Sequence, residues 1–319
     1  MSKEEYPVEI FPIDITPYKD SNTGIDYITS FDSGQPGPHV MVSALTHGNE
    51  ICGAITLDFL LRQQLRPIIG KLTLAFMNHA AYHTFDPKAP SQSRFVDEDM
   101  NRVWSEETLL GERTSLELER ARAIAPLLDQ VDFLLDIHSM QHKTVPLMLS
   151  GALDKGRDLA KAVGSPVTVV RDPGHAAGKR MRDYQGFGDP ASPKNALLIE
   201  CGQHWEKNSE IYSQEITLRF LNHLGVIDPD FVNQHLSRQP LEPQQVINVS
   251  GPVTIETNEF RFAEKFIGLE VLEEKGSLIG WDGDKEIRTP FDNCVLIMPS
   301  RRLTNNIGAS AVRLGRLES

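Results

Sequence analysis

Short apolar segments without polar alternation recur along the first three quarters of the chain. His39–Leu45 and Phe133–Ile137 are of this kind, and helix-like segments separate such runs over the first three quarters of the chain. Strands that are buried on both faces give such runs, whereas strands with one face in water alternate. The pattern predicts an α/β fold with a mixed open sheet that carries helices on both faces.

The remaining segments of this part fit the same architecture. We predict strands at Lys71–Met77, Val145–Leu149, Val167–Val170 and Ala196–Ile199, and helices at Glu50–Leu65, Leu116–Leu128 and Ser209–Leu224.

The sequence pattern changes after about Arg238, where prolines interrupt a polar stretch. Short β-branched runs separated by Gly, Asp, Asn and Pro then indicate a small β-rich domain. We therefore divide the chain into an α/β domain, residues 1–240, and a β-rich C-terminal domain, residues 241–319. The strands expected in the second domain are Val246–Val249, Val253–Thr257, Ile267–Leu272 and Val295–Met298, with a hairpin turn at Trp281–Asp284.

Composition limits the function classes. The 319 residues carry a formal net charge of −12, which disfavours nucleic acid as a partner because phosphate binding needs a basic face. No apolar run approaches the roughly 20 residues that span a bilayer. The segment Met1–Glu9 lacks the basic and apolar regions of a signal peptide. Three widely spaced cysteines do not suggest a disulfide framework. We expect a cytoplasmic protein with neither a membrane nor a nucleic-acid partner.

Three side chains suitable for binding a metal follow predicted strands. His47 and Glu50 fall where the first strand turns into a helix, and His138 comes directly after Phe133–Ile137. Ligands of open α/β sheets bind outside the carboxyl ends of the strands, so these side chains are expected to converge. Two His and one Glu are a catalytic zinc set with a fourth position open to water. Asp136 points to the same side of the strand as His138, where it could support that histidine or pack in the core.

Two further segments carry polar groups suited to a substrate. Arg94–Arg102 contains two arginines and Asn101, which could hold a carboxylate and polarise a carbonyl group. The alternative for this segment is a solvated loop of local ion pairs. Glu200 follows Ala196–Ile199 directly, and a carboxylate at the mouth of the sheet has the position of a general base. The alternative for Glu200 is a local pairing or capping role.

In this order, the segments resemble the aspartoacylase and succinylglutamate desuccinylase family, relatives of the zinc carboxypeptidases. Thr46–Glu50 and Asp136–His138 are similar to its metal-ligand motifs, and Arg94–Arg102 is similar to its arginine-rich substrate segment. Ile199–Gly202 is similar to its catalytic glutamate motif. The resemblance covers residues 35–225, and the β-rich C-terminal part resembles that of the family as well.

The resemblance implies one Zn²⁺ per chain, held by His47, Glu50 and His138. The implied activity is zinc-dependent removal of an acyl group from an N-acyl amino acid or a similar small carboxylate-bearing amide. A homo-oligomer is also consistent with the family. Alternatives left open are a zinc carboxypeptidase acting on peptide C-termini, a hydrolase using another metal, and a non-catalytic ligand-binding relative.

Five histidines without a partner at ligand spacing are expected to be non-ligands: His79, His83, His142, His175 and His204.

The resemblance also implies roles for the polar side chains. Glu200 would activate the attacking water, and Arg94 would stabilise the developing oxyanion. Asn101 and Arg102 would hold the substrate carboxylate.

One departure concerns specificity. Aspartoacylase has a further substrate-binding arginine about ten residues before its catalytic glutamate, at the position of Pro190 in this chain. We found no match for the substrate-binding tyrosine of its C-terminal domain. Arg180, Arg182 and Tyr184 are nearby candidates for lining the pocket, although their segment Gly178–Gly188 reads more readily as an ordinary mobile loop.

Overall fold

The computed structural model describes residues 6–175, 177–236 and 241–318. The strands are β1 (Ile28–Asp32), β2 (His39–Ala44), β3 (Lys71–Phe76), β4 (Phe133–Met140), β5 (Leu147–Leu149), β6 (Thr168–Arg171), β7 (Asn195–Gln203), β8 (Gln245–Thr254), β9 (Arg261–Phe262), β10 (Val271–Leu272), β11 (Leu278–Asp282), β12 (Lys285–Arg288), β13 (Cys294–Ile297) and β14 (Ser310–Leu317). The α-helices are α1 (Cys52–Arg62), α2 (His79–Tyr82), α3 (Glu106–Leu110), α4 (Leu116–Leu128), α5 (Asp154–Val163), α6 (Lys207–His223) and α7 (Pro229–His235). Short 3₁₀ turns lie at Thr16–Tyr18, Pro90–Arg94, Met100–Arg102, Met181–Asp183 and Gln185–Phe187.

Within the described residues, eleven strands form one mixed sheet in the order β1-β3-β2-β4-β7-β5-β6-β8-β14-β13-β10. Strands β3, β2, β4 and β7 are parallel neighbours. β5 pairs antiparallel with β7, and the pairs β5–β6 and β6–β8 are parallel. The carboxyl ends of β2, β4 and β7 therefore meet at one edge of the sheet.

Helices cover both faces of this sheet, as the sequence pattern predicts. Val40 and Val42 of β2 pack in one core with residues of α1, α5 and α6. Met41, between them, packs on the opposite face with residues of α4 such as Leu118. Burying each such aliphatic side chain stabilises the fold by roughly 1.5–3 kcal/mol. The apolar runs are unbroken because both faces of these strands are covered.

The C-terminal strands continue the same sheet. β8 pairs in parallel with β6 and antiparallel with β14, while β9, β11 and β12 form a separate three-stranded sheet. The predicted hairpin turn is confirmed, because Asp282 and Lys285 pair where β11 meets β12. The expected boundary near residue 240 lies outside the described residues, and the division into two domains stays a prediction.

Two strand predictions in this region are wrong. Val246–Val249 and Val253–Thr257 are predicted to be separate strands, but a single strand β8 contains the first, continues to Thr254 and has a register shift opposite Leu314 and Gly315. A bulge of this kind accommodates the extra residue without ending the strand. Ile267–Leu272 is extended only at Val271–Leu272, because Gly268 and Leu269 both have positive φ.

Among the helices in the described part of the chain, none has the length and apolar character that a membrane-spanning helix requires.

Candidate metal and substrate site

The chain enters the site through a sharp turn at the end of β2. Leu45 has a φ of 63°, a left-handed conformation that costs a residue with a side chain roughly 1–2 kcal/mol. Two backbone hydrogen bonds hold the turn, from Met77 N to Ala44 O at 2.8 Å and from Asn78 N to Leu45 O at 2.9 Å. The left-handed conformation of Leu45 directs the segment that carries His47 and Glu50 across the carboxyl ends of the strands.

Gly48 lies in that segment because no side chain fits there. A Cβ atom at this position would lie 2.4 Å from backbone atoms of helix α2 and 2.5 Å from Ser93 O. Gly48 N also donates to Arg94 O at 3.0 Å. The turn at residues 46–50 is therefore packed directly on the backbone of the segment that carries Arg94.

The three predicted metal ligands converge. Each of His47, Glu50 and His138 offers one ligand atom, and these three atoms lie within 4.8 Å of one another. All three residues are buried. Glu50 Oε1 is 2.9 Å from His47 Nδ1, and Glu50 Oε2 is 2.8 Å from His138 Nδ1. Burial alone would raise the pKa of Glu50, but the two histidines outweigh it and hold the pKa well below its usual range. Glu50 is thus an ionised carboxylate facing two ring nitrogens.

A second carboxylate contacts the Nε2 atom of each histidine, on the side of the ring away from Glu50. Asp136 Oδ2 is 2.8 Å from His138 Nε2, so Asp136 supports that histidine and is not merely a packing residue. Asp136 Oδ1 in turn accepts from Ser43 Oγ at 2.8 Å. Asp99 Oδ1 lies 2.9 Å from His47 Nε2, a contact that the sequence analysis did not anticipate. Such carboxylates fix the proton on the far ring nitrogen and leave Nδ1 free to bind a cation.

Arg94 reaches into this cluster from its 3₁₀ turn. Its NH1 donates to Glu50 Oε1 at 2.9 Å, and its NH2 donates to Asp99 Oδ2 at 3.1 Å. The same NH2 is 2.8 Å from His47 Nε2. Burial lowers the pKa of Arg94, but the two carboxylates outweigh it and the net shift is upward. Arg94 is therefore a fixed positive charge beside His47 and Glu50 and not a solvated loop residue.

The backbone after Arg94 is held by a buried carboxylate that the sequence analysis missed. Glu117, in the first turn of α4, is completely buried. Its oxygens accept from the backbone N–H groups of Val96, Asp97 and Glu98 at 2.7 to 3.2 Å, and from Asn78 Nδ2 at 2.9 Å. Four donors on one carboxylate fix the segment between Arg94 and Asp99.

Glu200 lies beside the cluster on the neighbouring strand. His138 and Glu200 are register partners in the parallel pair β4–β7 and line the same pocket. Glu200 Oε2 is buried and has no hydrogen-bond partner among the described residues. Burial, together with the nearby Glu50 carboxylate, raises the pKa of Glu200 to about 8. An unpartnered carboxylate with a pKa near neutrality is suited to taking up and releasing a proton.

Asn101 and Arg102 also line the pocket. Asn101 Oδ1 accepts from Met181 N at 2.9 Å, which leaves its Nδ2 group as the donor for other partners. Arg102 donates from NH1 to Asn101 O at 2.7 Å. Burial and the nearby arginines lower the pKa of Arg102 to about 10 despite the attraction of Asp99. Both side chains are thus placed to meet an anion.

The pocket has a volume of about 340 Å³ and includes all seven predicted site residues. Residues beyond 241 form part of its wall. The contributing side chains from this part include Ile267, Met298, Ser300, Arg302, Ser310 and Arg313.

The segment Gly178–Gly188 is not a mobile surface loop, because Arg180, Met181 and Arg182 are buried. Arg180 lines the pocket as one of the three suggested candidates. Arg182 instead donates to the backbone oxygens of Ser150 and Ala196.

Tyr184 also points away from the site, since its hydroxyl donates to Asp129 Oδ1 at 2.9 Å.

Three of the histidines that were predicted to be non-ligands lie in the pocket wall: His142, His175 and His204. The only group found among the described residues that could hold a metal is His47, Glu50 and His138. Burial lowers the pKa of His204 to about 3, and its Nδ1 is 2.9 Å from Ser139 Oγ.

The donor set fits a zinc ion. Zinc prefers imidazole nitrogen and carboxylate oxygen, and its catalytic sites use three protein ligands. The structure supplies two ring nitrogens and one ionised carboxylate, each buried, with Asp136 and Asp99 behind the two rings.

Comparison with known proteins agrees with this geometry. Residues 36–224 match the family model described as the succinylglutamate desuccinylase/aspartoacylase catalytic domain. The chain belongs to this family. The match spans more than half of the chain and includes all seven predicted site residues. The family consists of hydrolytic deacylases that act on small acyl-amino acids. No curated protein sequence matches the chain.

Solved structures show the same fold. A succinylglutamate desuccinylase/aspartoacylase from Rhodobacter sphaeroides is 16% identical, with a TM-score of 0.63 over 92% of this chain and 89% of that one. Succinylglutamate desuccinylase from Vibrio cholerae is 16% identical, with a TM-score of 0.64 over 91% and 85%. The ectoine utilization protein EutE from Ruegeria pomeroyi is 15% identical, with a TM-score of 0.59 over 90% and 88%. At these identities the likeness concerns the fold alone.

Proposed function

We propose that the protein is a zinc-dependent amidohydrolase that removes the acyl group from an N-acyl amino acid or a similar small carboxylate-bearing amide. The observation that carries the proposal is the buried, unpartnered Oε2 of Glu200 beside the His47, Glu50 and His138 cluster. A buried carboxylate without a partner is costly, and such groups concentrate where a reaction needs them.

We assign the metal to His47, Glu50 and His138. A zinc ion bound there supplies a Lewis acid that polarises the substrate carbonyl and makes a water molecule more acidic. Asp136 and Asp99 keep the two imidazoles in the tautomer that presents Nδ1.

The remaining steps belong to the polar side chains. Glu200 takes the proton of the attacking water on Oε2 and passes it to the leaving amine nitrogen. The Arg94 guanidinium stabilises the negative charge that develops on the carbonyl oxygen. Asn101 Nδ2 and the Arg102 guanidinium hold the substrate carboxylate, so that the amide is presented in one orientation.

The pocket favours a small substrate over a peptide. Its volume of about 340 Å³ lies at the lower end of the range for small-molecule sites. The C-terminal side chains Met298, Arg302 and Arg313 form part of its wall.

Glu200→Gln tests the proposal. We expect this variant to keep about one zinc per chain by elemental analysis and to lose most turnover on N-acyl amino acids. His138→Ala is the matched control, since it should lose the zinc as well. Near-normal turnover in Glu200→Gln would remove Glu200 from its role. Hydrolysis of short peptides, but not of N-acyl amino acids, would favour a carboxypeptidase.

A further inference from the structure

Part of the pocket wall is built from three segments that belong to neither a helix nor a strand. They are residues 141–144 after β4, residues 204–206 after β7 and residues 300–302 after β13. Segments without regular structure are the parts of a fold that open most easily. The shape of this wall therefore depends on how the three segments are fastened to one another. Their side chains that line the pocket are Gln141, His142, Thr144, His204, Ser300 and Arg302.

Direct contacts between these segments include one hydrogen bond and one ion pair. Arg301 N donates to Gln141 Oε1 at 3.1 Å, which connects the third segment to the first. Lys143 Nζ lies 3.7 Å from Glu206 Oε2, but 68% of the lysine side chain is exposed. An exposed ion pair at this distance contributes little to stability. An element that contacts several of the segments at once would hold the wall more firmly.

The chain at residues 6–10 is such an element, and its end at residues 9–10 is firmly attached to the second segment. Glu9 N and Ile10 N donate to Trp205 O at 2.9 and 3.2 Å. Glu9 Oε2 accepts from Lys207 N at 2.8 Å, in the first turn of α6, where backbone N–H groups have no partner within the helix. Ile10 is buried in the hydrophobic core. These contacts anchor the segment beside the pocket.

Tyr6, at the other end of this segment, contacts the remaining two wall segments. Its hydroxyl accepts from Lys143 N at 3.3 Å and lies 3.5 Å from His142 Nδ1. The Arg301 guanidinium lies over its ring, 5.3 Å from the ring centroid. Both hydroxyl distances are long for hydrogen bonds, and a cation–π contact outside the core is weak. These contacts of Tyr6, which we call the Tyr6 latch, therefore break more readily than those of Glu9 and Ile10.

We propose that Tyr6 is a positioning residue that holds the segments 141–144 and 300–302 together and thereby limits the size of the acyl group that the pocket admits. This inference rests on the proposed function. With the Tyr6 latch closed, the two segments form a fixed wall around a small substrate. When the latch opens, the chain stays attached at Glu9 and Ile10, and the two segments can separate to admit a longer acyl chain.

The test compares full-length, zinc-loaded protein with its Tyr6→Ala variant. The substrates are the N-acetyl and N-decanoyl forms of the amino acid that the wild-type protein deacetylates best. A substrate that needs the open latch binds the wild-type protein more weakly, by the fraction of molecules in which the latch is open. We expect kcat/KM for the N-decanoyl substrate, relative to the N-acetyl substrate, to rise roughly 3- to 10-fold in Tyr6→Ala, mainly through KM. General damage to the fold would instead lower kcat for both substrates.

Phe11→Ala is the matched control, since Phe11 is an exposed aromatic side chain directly after the anchored residues. An unchanged ratio in Tyr6→Ala, or an equal rise in Phe11→Ala, would overturn the proposal. Tyr6→Phe keeps the ring under Arg301 but removes the hydroxyl group, so an intermediate rise is expected. This variant decides the matter if Tyr6→Ala does not fold.

Hydrogen exchange separates this inference from the proposed function, because it needs no turnover. In Tyr6→Ala, peptides that contain the amides of Lys143 and Arg301 should exchange faster, whereas those around Trp205 should not change. Faster exchange in a protein that hydrolyses no amide would support the latch and reject the hydrolase. Turnover of N-acyl amino acids with unchanged exchange and an unchanged size preference in Tyr6→Ala would retain the hydrolase and refute the latch.

Discussion

Replacing Glu117 with glutamine tests how the segment that carries Arg94 is held. The wild-type carboxylate accepts four hydrogen bonds, two on each oxygen. A glutamine keeps one oxygen and turns an NH₂ group towards the other two donors. Each buried donor left without an acceptor costs about 1–3 kcal/mol, so two of them give about 2–4 kcal/mol once the loop relaxes partly towards water.

Urea unfolding of the zinc-loaded protein measures this loss, and Glu119→Gln is the control. Glu119 lies on the same helix and makes the same charge change, but it is exposed. We also expect lower turnover in Glu117→Gln, because the released segment carries Arg94 and Asp99. A difference of less than about 0.5 kcal/mol between the two variants, the usual scatter of surface substitutions, would refute the reasoning.

Three further predictions follow from the site and its surroundings. Asp136→Asn should weaken zinc binding by roughly 10- to 100-fold, because the carboxylate that supports His138 Nε2 is lost. A competition titration with a chelator measures the zinc affinity, and an unchanged affinity would contradict this role of Asp136. Gly48→Ala should destabilise the protein by about 2–3 kcal/mol in urea unfolding, since the added Cβ meets backbone atoms that cannot move aside; wild-type stability would contradict this. The folded-state pKa of His204, about 3, lies below the ordinary value of 6.5, so the unfolded chain binds more protons between these values and stability falls with falling pH. In chelator-treated protein, His204→Asn should reduce the slope of unfolding free energy against pH by up to about 1.4 kcal/mol per pH unit. An identical pH profile of stability in the two proteins would exclude His204 as the cause of the slope.

Local signals made some elements predictable from the sequence. The predicted helix Leu116–Leu128 has the same bounds as α4, because Ser115 caps its start through a bond from Leu118 N to Ser115 Oγ. The end of β4 was not predictable in the same way. The strand continues to Met140, beyond the expected Ile137, because its polar residues pair with β7 from a distant part of the chain.

The same distinction applies to the site. The convergence of His47, Glu50 and His138 could be predicted because each follows an apolar strand whose carboxyl end is recognisable. Asp99 pairs with Arg94, five residues earlier, but its other contact is with His47, 52 residues away. The sequence near Arg313 does not indicate its partner Asp172, which directly follows β6 in a distant part of the chain. Contacts between groups so far apart depend on strand order, which one sequence does not reveal.

The register between β4 and β7 has a consequence for how such a site can change. His138 and Glu200 occupy paired positions on adjacent strands, whose separation of about 4.8 Å is set by backbone hydrogen bonds. The spacing between the proposed metal ligand and the proposed proton acceptor is therefore set by the main chain. Arg313 and the other C-terminal wall residues sit on separate segments. Substitutions there can exchange one substrate for another while the reacting groups keep their spacing.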